Sequence, residues 1–294
     1  MCTLPRRLTL LAVILTLSTA ASAFEVGALF NLSNLDFARS RVSSETTLPG
    51  DDYLWGVTIT GHDELSDALA LDLSFSTDPI LRRIAYTRLQ YIDDYFSIAV
   101  GPFFGVLNSP ESIVQSGLST TVELYIPGFT FVRLRSDNSL SGRLVVTGDY
   151  IQERSELAVG FYTPNAIPTL FVRNKRYTAK TDPGETVDSL TEYGLSTDIF
   201  QKNIPYRVVL TMAYQDAARQ YVEATAVNHS FSSVVLGALL SLELFDAVTL
   251  RADLESSIYT FGRDYLLGEV SADRFLFRLY TGVVLDASAL TRRR

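Results

Sequence analysis

The sequence predicts an all-β fold: a transmembrane antiparallel up-and-down β-barrel of about 14 strands, with 12 or 16 as alternatives. Three observations carry this expectation. Apolar and polar residues alternate with period two along most of the 294 residues. The alternating runs are about 9 to 13 residues long, against roughly 5 to 6 in soluble sheets. Aromatic residues recur at the ends of the runs.

The first 23 residues stand apart. Arg6 and Arg7 precede the apolar run Leu8 to Leu17, followed by Ser18-Thr19 and the triplet Ala21-Ser22-Ala23. That order reads as a secretory signal peptide cleaved after Ala23, with an apolar stretch too short to cross a bilayer. The single cysteine, Cys2, lies within it, so the mature chain forms no disulfide. Without this segment, 23 Lys and Arg stand against 33 Asp and Glu, moving the formal charge from −8 to −10. So acidic a chain argues against nucleic acid as a partner. No later apolar run approaches 18 residues, so no transmembrane helix is expected. The 15 Tyr and 17 Phe must still face something.

From the start of the mature chain, neighbours two apart share a character, as in a strand. Phe24, Val26, Ala28 and Phe30 oppose Glu25, Gly27 and Asn31; Tyr53, Trp55, Val57 and Ile59 oppose Gly56, Thr58 and Thr60. Leu69 to Phe75 alternates around Asp72 and Ser74. Phe96, Ile98, Val100 and Phe104 oppose Ser97, Ala99 and Gly101, and Leu118, Val122 and Leu124 oppose Ser119, Thr121 and Glu123. Leu144 and Val146 oppose Arg143 and Asp149, Leu157 to Phe161 alternates with Ala158 and Gly160, and Tyr193, Leu195 and Ile199 oppose Glu192, Gly194 and Asp198. Tyr206 to Tyr214 carries its apolar side against Arg207, Thr211 and Gln215. The run "VVLGALLSLELF" at 234–245 divides the same way, with Glu243 on the face of Gly237 and Ser241. Its partner, 248–259, sets Leu250 and Leu254 against Arg251, Asp253 and Glu255. The final run sets Phe275, Phe277, Leu279, Val283 and Leu285 against Arg278, Tyr280, Gly282 and Asp286.

Turn residues separate these runs: Asp78-Pro79, Asp93-Asp94, Pro127-Gly128, Asp137-Asn138, 164–168, 201–203 and Asp246-Ala247. Longer connections are expected at about 33–52, 179–189 and 260–273. About 15 runs can be marked, but a single-chain barrel needs an even number, and 217–233 is where one is split or missed.

A soluble β-sandwich would carry Lys, Glu and Thr on its outer face. Here the second face carries Gly, Ser, Thr and Ala with spaced charges. Tyr206 and Tyr214 share a face eight residues apart, close to the height of a bilayer-facing band. With Phe24, Tyr53, Trp55, Phe275 and Phe277 they are candidates for interfacial girdles.

On these features, over residues 24–286, the chain resembles the bacterial outer-membrane β-barrel proteins, the porin-like single-chain barrels. One departure is the end of the chain: many such barrels finish on an aromatic residue, whereas here the last strand reaches Asp286 before a short basic tail, 287–294. The resemblance implies an outer-membrane location in a two-membraned bacterium. It also implies outer-membrane lipids, the barrel-assembly machinery and periplasmic chaperones as partners, and an unknown small solute.

No catalytic set is expected. His62 and His229 are the only histidines, and adjacent strand residues such as those of Asn228-His229-Ser230 point to opposite faces. His229 reads as a loop residue. The acidic pairs Asp51-Asp52, Asp63-Glu64 and Asp93-Asp94 read as solvated turns without calcium-loop spacing. No nucleotide or metal motif is present, so no cofactor is expected. The lumen-facing candidates are Glu123, Arg133, Arg135, Arg143, Asp149, Arg173, Lys175, Glu192, Asp198, Arg207, Glu243, Arg251, Asp253, Glu255 and Arg278. Small residues and charges of both signs on that face suit passive diffusion of small hydrophilic solutes. The alternatives are a structural or adhesin-type barrel acting through its loops, and a carrier of apolar ligands such as fatty acids.

Overall fold

The computed structural model describes residues 24–33, 54–77, 82–107, 113–139, 148–181, 184–201, 204–221, 229–245, 247–261 and 276–286. Among them fourteen strands run in chain order: β1 (Phe24–Ser33), β2 (Leu54–Ser66), β3 (Leu69–Thr77), β4 (Arg82–Ile92), β5 (Phe96–Leu107), β6 (Ile113–Ile126) and β7 (Thr130–Ser139). They continue as β8 (Gly148–Phe161), β9 (Ala166–Thr181), β10 (Gly184–Phe200), β11 (Tyr206–Tyr221), β12 (His229–Phe245), β13 (Val248–Phe261) and β14 (Leu276–Asp286). Each pairs antiparallel with its chain neighbours, and β1 pairs with β14 from Glu25↔Asp286 to Ser33↔Arg278. That last ladder closes the barrel, so no strand edge is left open. The signal segment and its cleavage after Ala23 lie outside the described residues.

One end of the barrel has only short turns, of two to five residues, at 67–68, 93–95, 127–129, 162–165, 201–205 and 246–247. Pro127 and Gly128 make one of them, with Gly128 at φ 71°, a left-handed value that costs glycine little. The first and last strands also leave the barrel at this end. Of the three longer connections expected at the other end, two fall at 34–53 and 262–275, outside the described residues. The third, at 179–189, is not a loop. There β9 continues to Thr181 and β10 resumes at Gly184, paired with Thr181. Likewise 217–233 holds the end of β11 and the start of β12, His229 opens β12 instead of lying in a loop, and Asp63 and Glu64 belong to β2 instead of a turn. The ends of β9 to β12 stand above the apolar belt and Asp63 and Glu64 at the short-turn rim, and in both places both faces meet water, so the alternation that marks a strand in sequence is lost.

Curvature separates the two faces. On the convex side neighbouring side chains diverge and stay open; on the concave side they converge and cover one another. The open face is the apolar one: Leu134 is 52% exposed, while Asp137 and Ser119, on the opposite face, are both at 0%. Along β11 the convex side reads Tyr206, Val208, Leu210, Met212 and Tyr214, then Asp216. Tyr206 to Tyr214 covers about 26 Å of strand, or about 20 Å along the barrel axis at a tilt of about 40°. Beyond this band the convex face also turns polar on β7 to β9: Ser136 and Asn138 above Leu134, Ser155 and Glu153 above Leu157, Asn174 and Arg176 above Val172. These side chains bond outside the wall, Asn138 Nδ2 to Ser136 Oγ at 2.7 Å and Asn174 Nδ2 to Thr191 Oγ1 at 3.2 Å.

Three phenylalanines on the concave face share one arrangement. Phe103, Phe131 and Phe171 each lie flat over a glycine on the next strand, Gly117, Gly160 and Gly194, so closely that an added Cβ would overlap the ring. The missing side chain makes room for the ring against the wall. Phe103 and Phe171 are 0% and 4% exposed as a result. Gly194→Val should push the Phe171 ring off the wall and lower stability by about 1–3 kcal/mol, read from the urea midpoint of refolded protein. Phe171→Ala in the same chain should recover part of that loss. In the belt, Leu210→Arg should cost about 2–4 kcal/mol in lipid vesicles and Asn174→Arg no more than about 1 kcal/mol, because only the first faces the bilayer midplane.

Candidate functional site: the concave face

Strand register arranges the concave charges in rows around the wall. One row runs Thr121, Arg135, Glu156, Arg173, Glu192, Gln215, Ser233 from β6 to β12, each residue the direct cross-strand partner of the next. Signs therefore alternate across four strands, the favourable order for cross-strand pairs. The row nearer the short turns begins Glu123, Arg133, Ala158, Phe171, and the row farther from them Ser119, Asp137, Arg154, Lys175.

Glu156 is the centre of this array. Its carboxylate, 6% exposed, accepts from Arg173 Nε at 2.8 Å and Arg133 Nη2 at 3.2 Å, with Arg154 at 3.9 Å. Arg173 also reaches Glu192 at 3.9 Å. A carboxylate so covered would be costly if unpaired, and three guanidinium groups offset that cost. Asp137, fully buried, is held by Ser119 Oγ at 2.5 Å and Arg135 Nη2 at 3.0 Å. Two of the arginines also lie over the flat rings, Arg173 at 4.1 Å from the Phe171 centroid and Arg133 at 5.8 Å from that of Phe131.

The far side of the barrel differs in sign. There β12, β13 and β1 bring Glu243, Asp253, Glu255 and Glu25 onto the concave face, with Arg251 and Arg278 among them. In a ring of fourteen, β7 to β9 stand opposite β14 to β2. Of these acidic residues Glu25 lies directly opposite the basic wall, while Glu243, Asp253 and Glu255 lie on the flank beside it. On one flank of the ring, His62 Nδ1 meets Asp72 Oδ1 at 2.8 Å with Arg88 at 3.9 Å; on the other, Arg207 pairs with Asp198. At the short-turn mouth, burial, together with the Glu123 carboxylate and Tyr125, holds the Tyr162 phenol above its ordinary range.

Register puts Glu123, Arg133, Arg135, Arg173, Lys175, Glu192, Asp198, Arg207, Glu243, Arg251, Asp253, Glu255 and Arg278 on the concave face. Arg133 and Arg173 come together on Glu156; Arg251 and Asp198 stand apart from that cluster. Arg143 and the side chain of Asp149 lie outside the described residues. Of the girdle candidates, Phe24, Trp55, Tyr206, Tyr214 and Phe277 are on the convex face, and Tyr53 and Phe275 lie outside the described residues. Tyr193 joins the girdle as the direct partner of Tyr214, and Tyr95, Phe129 and Phe161 are exposed at the short-turn end. Sequence reasoning missed Glu156, Arg154, Asp137 and Arg88. Carrying the parity of Ala158 and Gly160 back two residues at a time would have reached Glu156 and Arg154.

No protein-family model matches the chain, and none of the curated proteins does. Among solved structures, the chain is similar to the CymD monoaromatic hydrocarbon channel at 8% identity, covering 92% of this chain and 89% of that one, with a TM-score of 0.47. It is similar to a loop-deletion mutant of OmpT, an outer membrane protein of Vibrio cholerae, at 10% identity, covering 90% and 97%, with a TM-score of 0.43. It is similar to a porin at 12% identity, covering 90% and 99%, with a TM-score of 0.40. Closure of β1 on β14 and the apolar belt make this chain a transmembrane barrel of the outer-membrane type.

Glu156→Gln removes the charge that three arginines share. It should lower the urea midpoint by an amount equivalent to about 1–3 kcal/mol. Arg154→Gln, which leaves Glu156 two nearer arginines, should cost less in the same measurement.

Proposed function

We propose that the barrel is a passive, water-filled pore for small hydrophilic solutes in the bacterial outer membrane. The observation that carries this reading is the way concave charges are neutralised. The pairs Arg133–Glu156, Arg173–Glu156, Arg135–Asp137, His62–Asp72 and Arg207–Asp198 each join a residue to its own strand or the adjacent one. A plugged barrel would use such charges to bridge opposite walls. Among the described residues strands pack extensively only on barrel neighbours, with a minor contact between β6 and β8. Fourteen strands about 4.8 Å apart, tilted about 40°, set the backbone about 14 Å from the axis, which keeps opposite walls apart.

The separation of signs between β7–β9 and β12–β1 supplies a transverse field, which orients dipolar solutes as they pass. Apolar cargo suits this interior poorly. The concave phenylalanines lie flat, and two of the rings are covered by guanidinium groups.

Protein refolded into planar bilayers should give stepwise, ohmic current in potassium chloride. Absence of current from protein with heat-modifiable gel migration, which reports a folded barrel, would sink the pore reading. Arg133→Gln with Arg135→Gln should shift the reversal potential in a salt gradient toward cation preference, and Glu156→Gln toward anion preference.

A further inference from the structure

On the convex face two hollows of different chemistry lie one above the other on shared strands. The lower, of about 610 Å³, sits at the upper edge of the apolar belt between β8 and β12. Its upper row is Leu157, Val172, Tyr193, Tyr214 and Val234, each the direct partner of the next, and Leu195 and Met212 lie one row below. The upper hollow, of about 530 Å³, spans β7 to β10. It holds the row Asn138, Glu153, Arg176 and Ser189, again direct partners in order, with Ser155 and Asn174 in the row between the two hollows. The tyrosine row and the Arg176 row are four residues apart, about 13 Å of strand. One amphiphile spans that distance.

The lining of the upper hollow selects the head group. Hydrogen bonds to Ser136 and Thr191 orient the amides of Asn138 and Asn174. With the hydroxyls of Ser155 and Ser189 and the carboxylate of Glu153, they form a set suited to sugar hydroxyls, which both donate and accept. Among the described lining residues Arg176 is the cation on this face. Its guanidinium has five donors, more than the Glu153 carboxylate across the strand boundary takes up, and its fork matches a phosphate. Glu153 disfavours a bare anion, so a phosphate here must come with donors of its own, as on a sugar. An ethanolamine phospholipid would answer Glu153 with its ammonium group but leave the amides and hydroxyls without partners. Both hollows lie away from the short turns, which places them on the outer side of an outer-membrane barrel.

We propose that the two hollows together bind a phosphorylated glycolipid of the outer leaflet. An acyl chain lies in the lower hollow between Leu157 and Met212, the sugar rests against Asn138, Glu153 and Asn174, and the phosphate meets Arg176. The site is on the outside of the wall, so it does not depend on the pore reading.

The test is native mass spectrometry of the refolded protein with three lipids at equal concentration: monophosphoryl lipid A, its dephosphorylated form, and phosphatidylethanolamine. Monophosphoryl lipid A should be retained saturably, one per barrel. The dephosphorylated form and phosphatidylethanolamine should each bind about tenfold or more weakly, as expected for loss of a charged hydrogen bond. Arg176→Gln should weaken monophosphoryl lipid A about tenfold and leave the dephosphorylated form unchanged; Leu195→Trp, which fills the lower hollow, should weaken both alike. Equal retention of the three lipids, preference for phosphatidylethanolamine, or a dimer that excludes lipid overturns the proposal. Should a variant fail to fold, comparison of the three lipids on the unsubstituted protein decides. Bilayer current is a separate readout, so loss of the pore reading and loss of this site are distinguishable.

Discussion

A chain that crosses lipid as strands must satisfy every backbone N–H and C=O within its own wall, since hydrocarbon offers no partner. Here that requirement is met by one ladder above all, β1 with β14, which joins the two ends of a fourteen-stranded sheet. With the ladder in place, no edge remains, each strand has two neighbours, and the sheet has an inside and an outside. The apolar belt and the charged interior are consequences of that closure. Without it, Leu210 and Arg207 would sit on the two faces of an open sheet with no common solvent to suit either.

Closure also sets how charge is handled. Concave side chains converge, so a carboxylate such as Glu156 is covered by its neighbours even in a wet interior. Its partners then have to come from the wall. Register supplies them, with Arg173 directly across one strand boundary and Arg133 diagonally across the other, while Arg154 lies two residues away on the same strand. The same geometry places Glu25 beside Asp286, a pairing that the closing ladder imposes and that nothing in the local sequence would favour. The flat rings over Gly117, Gly160 and Gly194 serve the interior in another way, filling gaps in the wall while keeping bulk away from the axis.

Much of the fold was legible where a strand faces lipid on one side and water on the other. In "VVLGALLSLELF" the division into Leu236, Leu240 and Leu244 against Gly237, Ser241 and Glu243 is visible by counting twos, and the structure keeps it. Legibility ended at the top of the belt. Across Gly148 to Glu156 and Asn174 to Leu190 neither parity of the sequence is consistently apolar, so period two carries no contrast there. Glu156, the centre of the largest ion-pair cluster described, lay in one of those stretches.

Alternation is a local property, fixed by the geometry of a single extended strand, and the sequence by itself determined it: which residues face lipid, which face inward, and where Tyr206 and Tyr214 bracket the belt. Strand neighbours and register are non-local. Only the tertiary structure decided that Arg133, Arg154 and Arg173 meet on one carboxylate, that Phe171 lies over Gly194, and that residues as distant as Glu25, Arg207 and Asp286 line one hollow. The physical reason is that each such contact depends on the register of several ladders in series and on the closing of the last, and a period of two is the same in every register that differs by two.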